Sequence, residues 1–154
     1  MSLTFLQIGL TFGQSKAQWE ADILAARHAG IDGFAMNIGP HDSWTEAQLR
    51  LAYKTANDVT PGEFVMFLSF DMAAGDWKVL QVIDLINEFK VLPAQCGVDT
   101  LPFVSTFEGP QWAENWNSVR LRTGGIFLVP SWTSIGPHGV FDRLGVVDGA
   151  CRFF

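Results

Sequence analysis

The chain has 154 residues, of which 48% are hydrophobic and 17% are charged, and its formal net charge is −6. This length corresponds to about one domain, and the apolar content is typical of a chain with a buried core, which argues against a disordered or fibrous protein. Its 10 Lys and Arg residues are outnumbered by 16 Asp and Glu residues, which argues against a nucleic-acid partner because phosphate binding requires clustered basic side chains. No apolar run reaches the ~20 residues of a membrane span, so we expect no membrane insertion.

Five short apolar runs predict β-strands that are buried on both faces, because such strands lose the alternation of apolar and polar residues. The stretches between them are amphipathic at helical spacing and predict helices. The predicted strands are Leu3 to Leu10, Gly33 to Ile38, Phe64 to Phe70, Leu101 to Phe107 and Gly125 to Val129.

Two helix starts are indicated by local signals. Thr45 and Gln48 have the spacing of a capping box and predict the start of the second helix. Asp76 is expected to cap the third helix, which would begin at Trp77.

Repeated strand and helix in this order predicts an α/β fold with a parallel sheet and right-handed crossovers. Two architectures fit that pattern, an open doubly wound sheet and part of a (β/α)8 TIM barrel. A complete barrel needs roughly 200 residues or more, so an open sheet fits the length better. The residues at the strand ends, by contrast, favour the barrel. We therefore expect one domain over residues 1–154 that holds about the first five βα units, with residues 149–154 beginning a sixth strand.

Two carboxylic acids, Asp71 and Glu108, directly follow the third and fourth predicted strands. The carboxyl ends of parallel strands meet at one edge of the sheet, so both side chains should face one cleft. Two carboxyl groups in different environments can act there as acid and base, as in glycoside hydrolysis. The alternative is that each acid caps the next helix or pairs with a basic side chain.

The same edge collects amides, hydroxyls such as those of Ser69 and Ser105, a histidine and tryptophans at the strand ends and in the loops that follow. Flat aromatic faces pack against the C–H faces of sugar rings, although core packing is the alternative for each tryptophan. Among these loop residues, Trp116 is a further candidate, and His41 is also a candidate base. The predicted substrate-binding residues are Asn37, His41, Asp42, Trp44, Trp112 and Trp132.

Other chemistries have no motif in this sequence. HExxH and two-His-plus-carboxylate patterns are absent, so no metal is predicted. The sequence lacks a phosphate loop, a dinucleotide fingerprint and a nucleophile elbow, which predicts no cofactor. Cys96 and Cys151 lie far apart and read as ordinary core thiols.

Several segments resemble glycoside hydrolase family 71, the fungal α-1,3-glucanases or mutanases. They are AGIDGFAMNIGP at 29–40, DSWTEAQLRLAY at 42–53, FLSFDM at 67–72, FVSTFEGP at 103–110 and TGGIFLVP at 123–130. The resemblance implies a (β/α)8 barrel that hydrolyses internal α-1,3-glucosidic bonds of cell-wall glucan or mutan with inversion. It also implies that Asn37, Asp42, Trp44, Asp71 and Glu108 line the substrate cleft.

The resemblance further implies an incomplete domain. The family's proposed catalytic acids lie in an Asp-Tyr-Gly-Glu segment on a later strand, and we expect that pair beyond residue 154. The alternative is a non-catalytic glucan-binding or structural remnant that self-associates through open sheet edges. The family is typically extracellular or in the cell wall, whereas the first residues show no signal-peptide pattern and predict no location.

Overall fold

The computed structural model describes residues 4–151, in which strands and helices alternate along the chain. The strands are β1 (Phe5–Ile8), β2 (Gly33–Ile38), β3 (Val65–Asp71), β4 (Gly97–Val98), β5 (Leu101–Phe107) and β6 (Phe127–Leu128). The α-helices are α1 (Lys16–His28), α2 (Thr45–Val59), α3 (Val79–Phe89), α4 (Asn115–Thr123) and α5 (Gly136–Phe141). Short 3-10 turns cover Pro110–Trp112 and Thr133–Ile135.

Five of the strands form a parallel sheet in the order β1-β2-β3-β5-β6. The two-residue β4 pairs antiparallel with the start of β5. Each parallel strand lies beside the preceding one, so every crossover steps in the same direction and places its helix on the same face of the sheet. A doubly wound sheet would reverse direction. The fold is therefore a partial (β/α)8 barrel of five units, as predicted.

The two faces of the sheet bury different layers. The face that packs on the helices carries alternate residues of the strands, such as Phe34, Met36, Leu68 and Phe70, in one core with the helical residue Trp19. The opposite face forms the barrel interior. It holds a ladder of aromatic rings in which the Phe67 centroid lies 5.0 Å from Phe5 and 4.7 Å from Phe103. Because both faces are apolar, the strands read as continuous apolar runs.

The interior face becomes polar toward the carboxyl ends of the strands. Asn37, Ser69 and Ser105 lie in one row across β2, β3 and β5, and both serines are buried. Asp71 is one pair further along and lies opposite Phe107. This register places the polar residues at one end of the barrel interior, where binding and catalytic groups of such barrels are found.

The predicted capping box at α2 is wrong. Trp44 occupies the N-cap position without a side-chain hydrogen bond, and Thr45 is already the first helical residue. The Thr45 hydroxyl is buried and has no hydrogen-bond partner within residues 4–151. A capping box is present instead at α1, where Ser15 and Gln18 bond each other's backbone N–H groups.

The predicted start of α3 is also wrong. The helix begins at Val79 with Lys78 at its N-cap and no side-chain hydrogen bond there, so Asp76 does not cap it. Trp77 precedes the helix and turns inward, where its Nε1 donates to the Asp71 carbonyl oxygen at 2.9 Å. Burial of the large indole therefore decides how the chain enters this helix.

The ends of the chain only partly fall within the described region. Leu3 of the first predicted strand and residues 152–154 of the predicted sixth strand lie outside it. Residues 148–151 run beside β6, because Asp148 N donates to Leu128 O at 2.9 Å and Cys151 N donates to Pro130 O at 3.0 Å. Among residues 4–151, no helix is long and apolar enough to cross a membrane.

Candidate active site

Asp71 ends β3 with both carboxylate oxygens in use. Its Oδ1 accepts hydrogen bonds from the backbone N–H groups of Ala73 and Ala74, each at 3.0 Å. Its Oδ2 accepts one hydrogen bond from Asn37 Nδ2 at 3.3 Å. The first oxygen thus fixes the turn that leaves the strand, while the second lies beside the amide on the neighbouring strand. The side chain is only partly buried, so it remains open to a ligand.

Glu108 follows β5 and is held by the turn that follows β6. Its carboxylate accepts hydrogen bonds from the Thr133 hydroxyl, from Ser134 N at 3.1 Å and from the Ser134 hydroxyl at 2.5 Å. Burial raises the pKa of Glu108, but the hydrogen bonds from Ser134 and Thr133 outweigh it and leave the pKa below its ordinary value. The carboxylate is therefore kept ionised and links two neighbouring loops.

Both acids lie at the same edge of the sheet, on adjacent strands, as their positions in the sequence predicted. Asp71 pairs with Phe107, and the following residue, Met72, donates its N–H to Phe107 O at 2.9 Å. Glu108 comes directly after β5 and donates its N–H to Ser131 O at 3.0 Å. Glu108 has a positive φ of 54°, a conformation that is uncommon for a residue other than glycine.

Below the acids, the barrel interior contains two buried polar atoms without a hydrogen-bond partner in the described residues. These are Asn37 Oδ1 and the Ser69 hydroxyl. In the same row, the Ser105 hydroxyl donates to Val129 O at 2.7 Å. Buried polar groups are normally paired. Unlike the Ser105 hydroxyl, Asn37 Oδ1 and the Ser69 hydroxyl can therefore form a hydrogen bond to a ligand or a water molecule.

The tryptophans of the edge have different environments. Trp44 is partly buried and its ring meets Phe12 edge to face, with centroids 6.2 Å apart. Trp112 is partly buried and donates to Trp77 O at 3.3 Å. Trp116 is fully buried in α4 and belongs to the helix-side core, so the core alternative holds for it.

Trp132 lies in the wall of a cavity. The side chain is 2% exposed, and its Nε1 has no hydrogen-bond partner among residues 4–151. With Thr133, Val140 and Cys151 it lines a cavity of about 370 Å³ at the end of β6. Any contact between Trp132 and a ligand would therefore occur inside this cavity.

His41 and Asp42 are exposed in the loop after β2. The His41 ring packs against the turn at Gly75, so close that a methyl group there would lie 2.9 Å from Nε2. His41 also lines a groove of about 500 Å³ with residues of α2 and α3, including Glu46 and Asp84. Asp71 does not line this groove, so His41 and Asp71 do not share it.

The donor groups of the site do not form a recognisable metal cluster. In the part of the chain that the structure describes, no group of three or more His, Cys, Asp or Glu side chains could hold a metal ion. Both cysteines are free thiols. Burial raises the pKa of the Cys96 thiol to about 11, so it is a weak nucleophile at neutral pH.

The sequence model of glycosyl hydrolase family 71 matches residues 3–154. The chain belongs to this family. It is 35% identical over 154 residues to a glucan endo-1,3-alpha-glucosidase of Schizosaccharomyces pombe, and the match covers 92% of this chain and 35% of that protein. It is 33% identical over 128 residues to a mutanase of Penicillium rubens, covering 80% of this chain and 27% of that protein.

A third relative of this family 71 chain is the ascus wall endo-1,3-alpha-glucanase of Schizosaccharomyces pombe. The two are 25% identical over 159 residues, which covers 95% of this chain and 36% of the relative. The chain thus spans about a third of the length of the curated relatives that it matches. Its family is one of glycosyl hydrolases.

A solved structure supports the fold. The GH99 endo-alpha-mannosidase from Bacteriodes thetaiotaomicron, in complex with bis-tris-propane, superposes with a TM-score of 0.71. The match covers 99% of the family 71 chain and 58% of the mannosidase chain, at 9% sequence identity. At this identity the likeness supports the architecture alone.

Two residues of the site, Thr133 and Ser134, could not be found from the sequence of the family 71 chain. Ser69 and Ser105, which the sequence places at the ends of their strands, face the barrel interior. Thr133 and Ser134 bind Glu108 from 25 and 26 positions away. No local pattern connects those positions.

Proposed function

We propose that this family 71 chain binds α-1,3-glucan along the carboxyl edge of its sheet and contributes to hydrolysis of internal α-1,3-glucosidic bonds with inversion. One observation carries the proposal: Asp71 lies open beside Asn37 at that edge of a five-unit barrel. Barrels of this class build their active sites there. Its relatives are named for α-1,3-glucan, which supports that polymer as the substrate.

Asp71 is proposed as the acid that contacts the sugar. Two backbone N–H groups hold Oδ1, so the carboxylate is fixed before the ligand arrives. Oδ2 accepts only the 3.3 Å bond from Asn37 in the described structure, and it retains capacity to accept a hydrogen bond from a sugar hydroxyl. Asp42 and Trp44 are proposed to bind the adjoining sugar units.

Glu108 fits an anchoring role better than that of a proton donor. A general acid in a glycosidase needs a raised pKa, whereas the hydrogen bonds from the 133–134 turn lower the pKa of Glu108. Its proposed role is to hold the loops after β5 and β6 in register at the edge of the cleft. The principal catalytic acids are then residues other than Glu108.

The geometry of Glu108 also favours a second candidate function, which is glucan binding without hydrolysis. If Glu108 serves only to anchor the two loops, Asp71 has no catalytic partner at the end of the neighbouring strand, and the five units can retain the polymer without cleaving it. Self-association belongs to the same candidate, because β1 pairs only with β2 among the described strands and leaves an edge open.

The test uses the purified chain on insoluble α-1,3-glucan, with retention on the polymer and release of reducing sugar measured in parallel. Asp71→Asn keeps an oxygen for the Ala73 and Ala74 N–H groups and removes the charge. We expect retention by the wild-type chain and at least tenfold weaker retention of Asp71→Asn, which is the loss of about 1.4 kcal/mol expected for a charged hydrogen bond.

Glu108→Gln should retain the polymer as well as the wild type does while it stays folded. Sugar release that disappears in Asp71→Asn supports the hydrolase. Retention without release supports the second candidate. Absence of both signals from the folded wild-type chain refutes both.

A further inference from the structure

Two large apolar side chains project into solvent just after β1. Leu10 is 93% exposed and Phe12 is 76% exposed. Leu10 also has a positive φ of 53°, which is unfavourable for a residue with a branched side chain. Exposed apolar groups that stand together on a surface commonly mark a binding site.

The loop that carries Phe12 is anchored to the core. Thr11 is buried, and its carbonyl oxygen accepts from Gln14 N at 3.1 Å. The Gln48 side chain then bridges two elements, since its Nε2 donates to Gln14 O at 3.2 Å and its Oε1 accepts from Trp19 Nε1 at 2.9 Å. Trp19 is fully buried. The Phe12 loop is therefore positioned by contacts that reach the hydrophobic core.

This loop is continuous with the edge that carries the candidate site. β1 pairs with β2 up to Ile8 and Met36, so the loops that follow the two strands are neighbours. A methyl group at Gly9 would lie 3.6 Å from the Asn37 carbonyl oxygen. The Phe12 ring meets Trp44 with centroids 6.2 Å apart and an angle of 67° between the planes.

We propose that Phe12 joins Trp44 in an aromatic platform that binds the glucosyl units of an α-glucan next to the unit held at Asp71. This inference rests on the proposed function and adds a binding position to it. The two rings supply apolar faces for sugar C–H groups. Phe12 also lines a hollow of about 410 Å³ with Gln14, Gln18 and Asp22. Gln14 Nε2 donates to Asp22 Oδ2 at 2.6 Å and Gln18 Oε1 accepts from Ser15 N at 2.8 Å, so Gln14 Oε1, Gln18 Nε2 and Asp22 Oδ1 are the atoms that can bond a sugar hydroxyl.

The size and chemistry of this platform suit a sugar chain better than a protein partner. A stable protein interface buries about 1,200–2,000 Å², which two exposed apolar side chains do not approach. Polar groups immediately beside the rings match the alternating C–H faces and hydroxyls of a polysaccharide. A second copy of the chain is the competing occupant, and the experiment separates the two.

The experiment compares Phe12→Ala with Phe141→Ala in the 154-residue chain. Phe141 is the matched control, because it is 64% exposed on α5 and has no part in the platform. Both substitutions remove an exposed ring, so neither should unfold the protein. The readouts are the dissociation constant for insoluble α-1,3-glucan, the same measurement on cellulose, and the oligomeric state by analytical ultracentrifugation.

We expect Phe12→Ala to weaken binding to α-1,3-glucan about tenfold, as the loss of one partly buried aromatic contact predicts. Phe141→Ala should change binding less than about twofold. Wild-type binding that is unchanged by Phe12→Ala overturns the platform and leaves the proposed function intact. Loss of self-association in Phe12→Ala with unchanged glucan binding also overturns it. A folded wild-type chain that binds no glucan overturns the proposed function together with the platform.

Discussion

The hydrogen bonds around Glu108 predict a pH-dependent contribution to stability. Glu108→Gln keeps the size and one oxygen acceptor of the side chain but removes the charge. A hydrogen bond to an ionised acceptor is stronger than a neutral one by about 1 kcal/mol. Thr133 and Ser134 supply three donors, and solvent screening of this partly exposed group reduces their sum. We expect a loss of about 1–2 kcal/mol at pH 7.

The sign of the pH dependence follows from the direction of the pKa shift. The folded-state pKa of Glu108 is lowered from its ordinary value of 4.5. Its contribution is therefore fully present above pH 4.5 and is lost as the pH falls through the lowered folded-state value. A protonated glutamic acid resembles glutamine, so the difference between wild type and Glu108→Gln should shrink toward zero at low pH.

Urea denaturation of both proteins at pH 7 and pH 3 measures this difference. Glu20→Gln, at an exposed position of α1, is the matched control and should change the free energy of unfolding by less than about 0.5 kcal/mol at either pH. Equal stability of wild type and Glu108→Gln at pH 7 would refute the anchoring role. So would a difference that stays constant between pH 7 and pH 3.

Three further substitutions test the packing beneath the site, each by the free energy of unfolding. Ser105→Ala should destabilise the fold by about 1 kcal/mol, because Val129 O loses its 2.7 Å hydrogen bond. Ser69→Ala should be neutral or stabilising by up to about 1 kcal/mol, because it removes a buried hydroxyl without a partner in the described residues. Equal losses of stability in Ser69→Ala and Ser105→Ala would contradict this difference in hydrogen bonding between the two serines. Gly109→Ala should cost about 2–4 kcal/mol, since φ is 93° and the new methyl would lie 2.5 Å from Met72 Cβ, and a cost below 1 kcal/mol would show that Met72 can move aside.

The positions of the barrel strands along the chain were predictable, because burial on both faces leaves continuous apolar runs in the sequence. Three of the parallel strands, β2, β3 and β5, lie within one residue of their predicted bounds. β1 and β6 are shorter than predicted, since pairing rather than apolar character sets their ends. The antiparallel β4 has two residues, too few for any periodicity to show.

Helix starts were predicted less well because capping signals are short and compete with burial. The spacing of Thr45 and Gln48 fits a capping box, but Gln48 is used to bridge Gln14 and Trp19. That long-range contact was invisible in the sequence. Trp77 likewise lies before the helix because its indole ring packs in the core, and Asp76 does not cap the helix.

The candidate site was predictable in its place and less so in its chemistry. Asp71 and Glu108 follow adjacent strands, so their common edge could be read from the order of the elements. The hydrogen-bond partners of each acid could not be predicted from the sequence. Asp71 stays open beside Asn37, whereas Glu108 is bound by Thr133 and Ser134 from a turn 25 and 26 residues later. The pairing of β6 with β5 brings that turn beside Glu108.

The five-unit barrel is proposed to bind an α-1,3-linked glucan. The most direct measurement compares retention of the purified chain on insoluble α-1,3-glucan and on insoluble β-1,3-glucan, which contain the same sugar and differ in linkage geometry. We expect retention on the α-linked polymer to be at least tenfold stronger than on the β-linked polymer. Equal retention on the two polymers, or retention on neither by a folded chain, would contradict it.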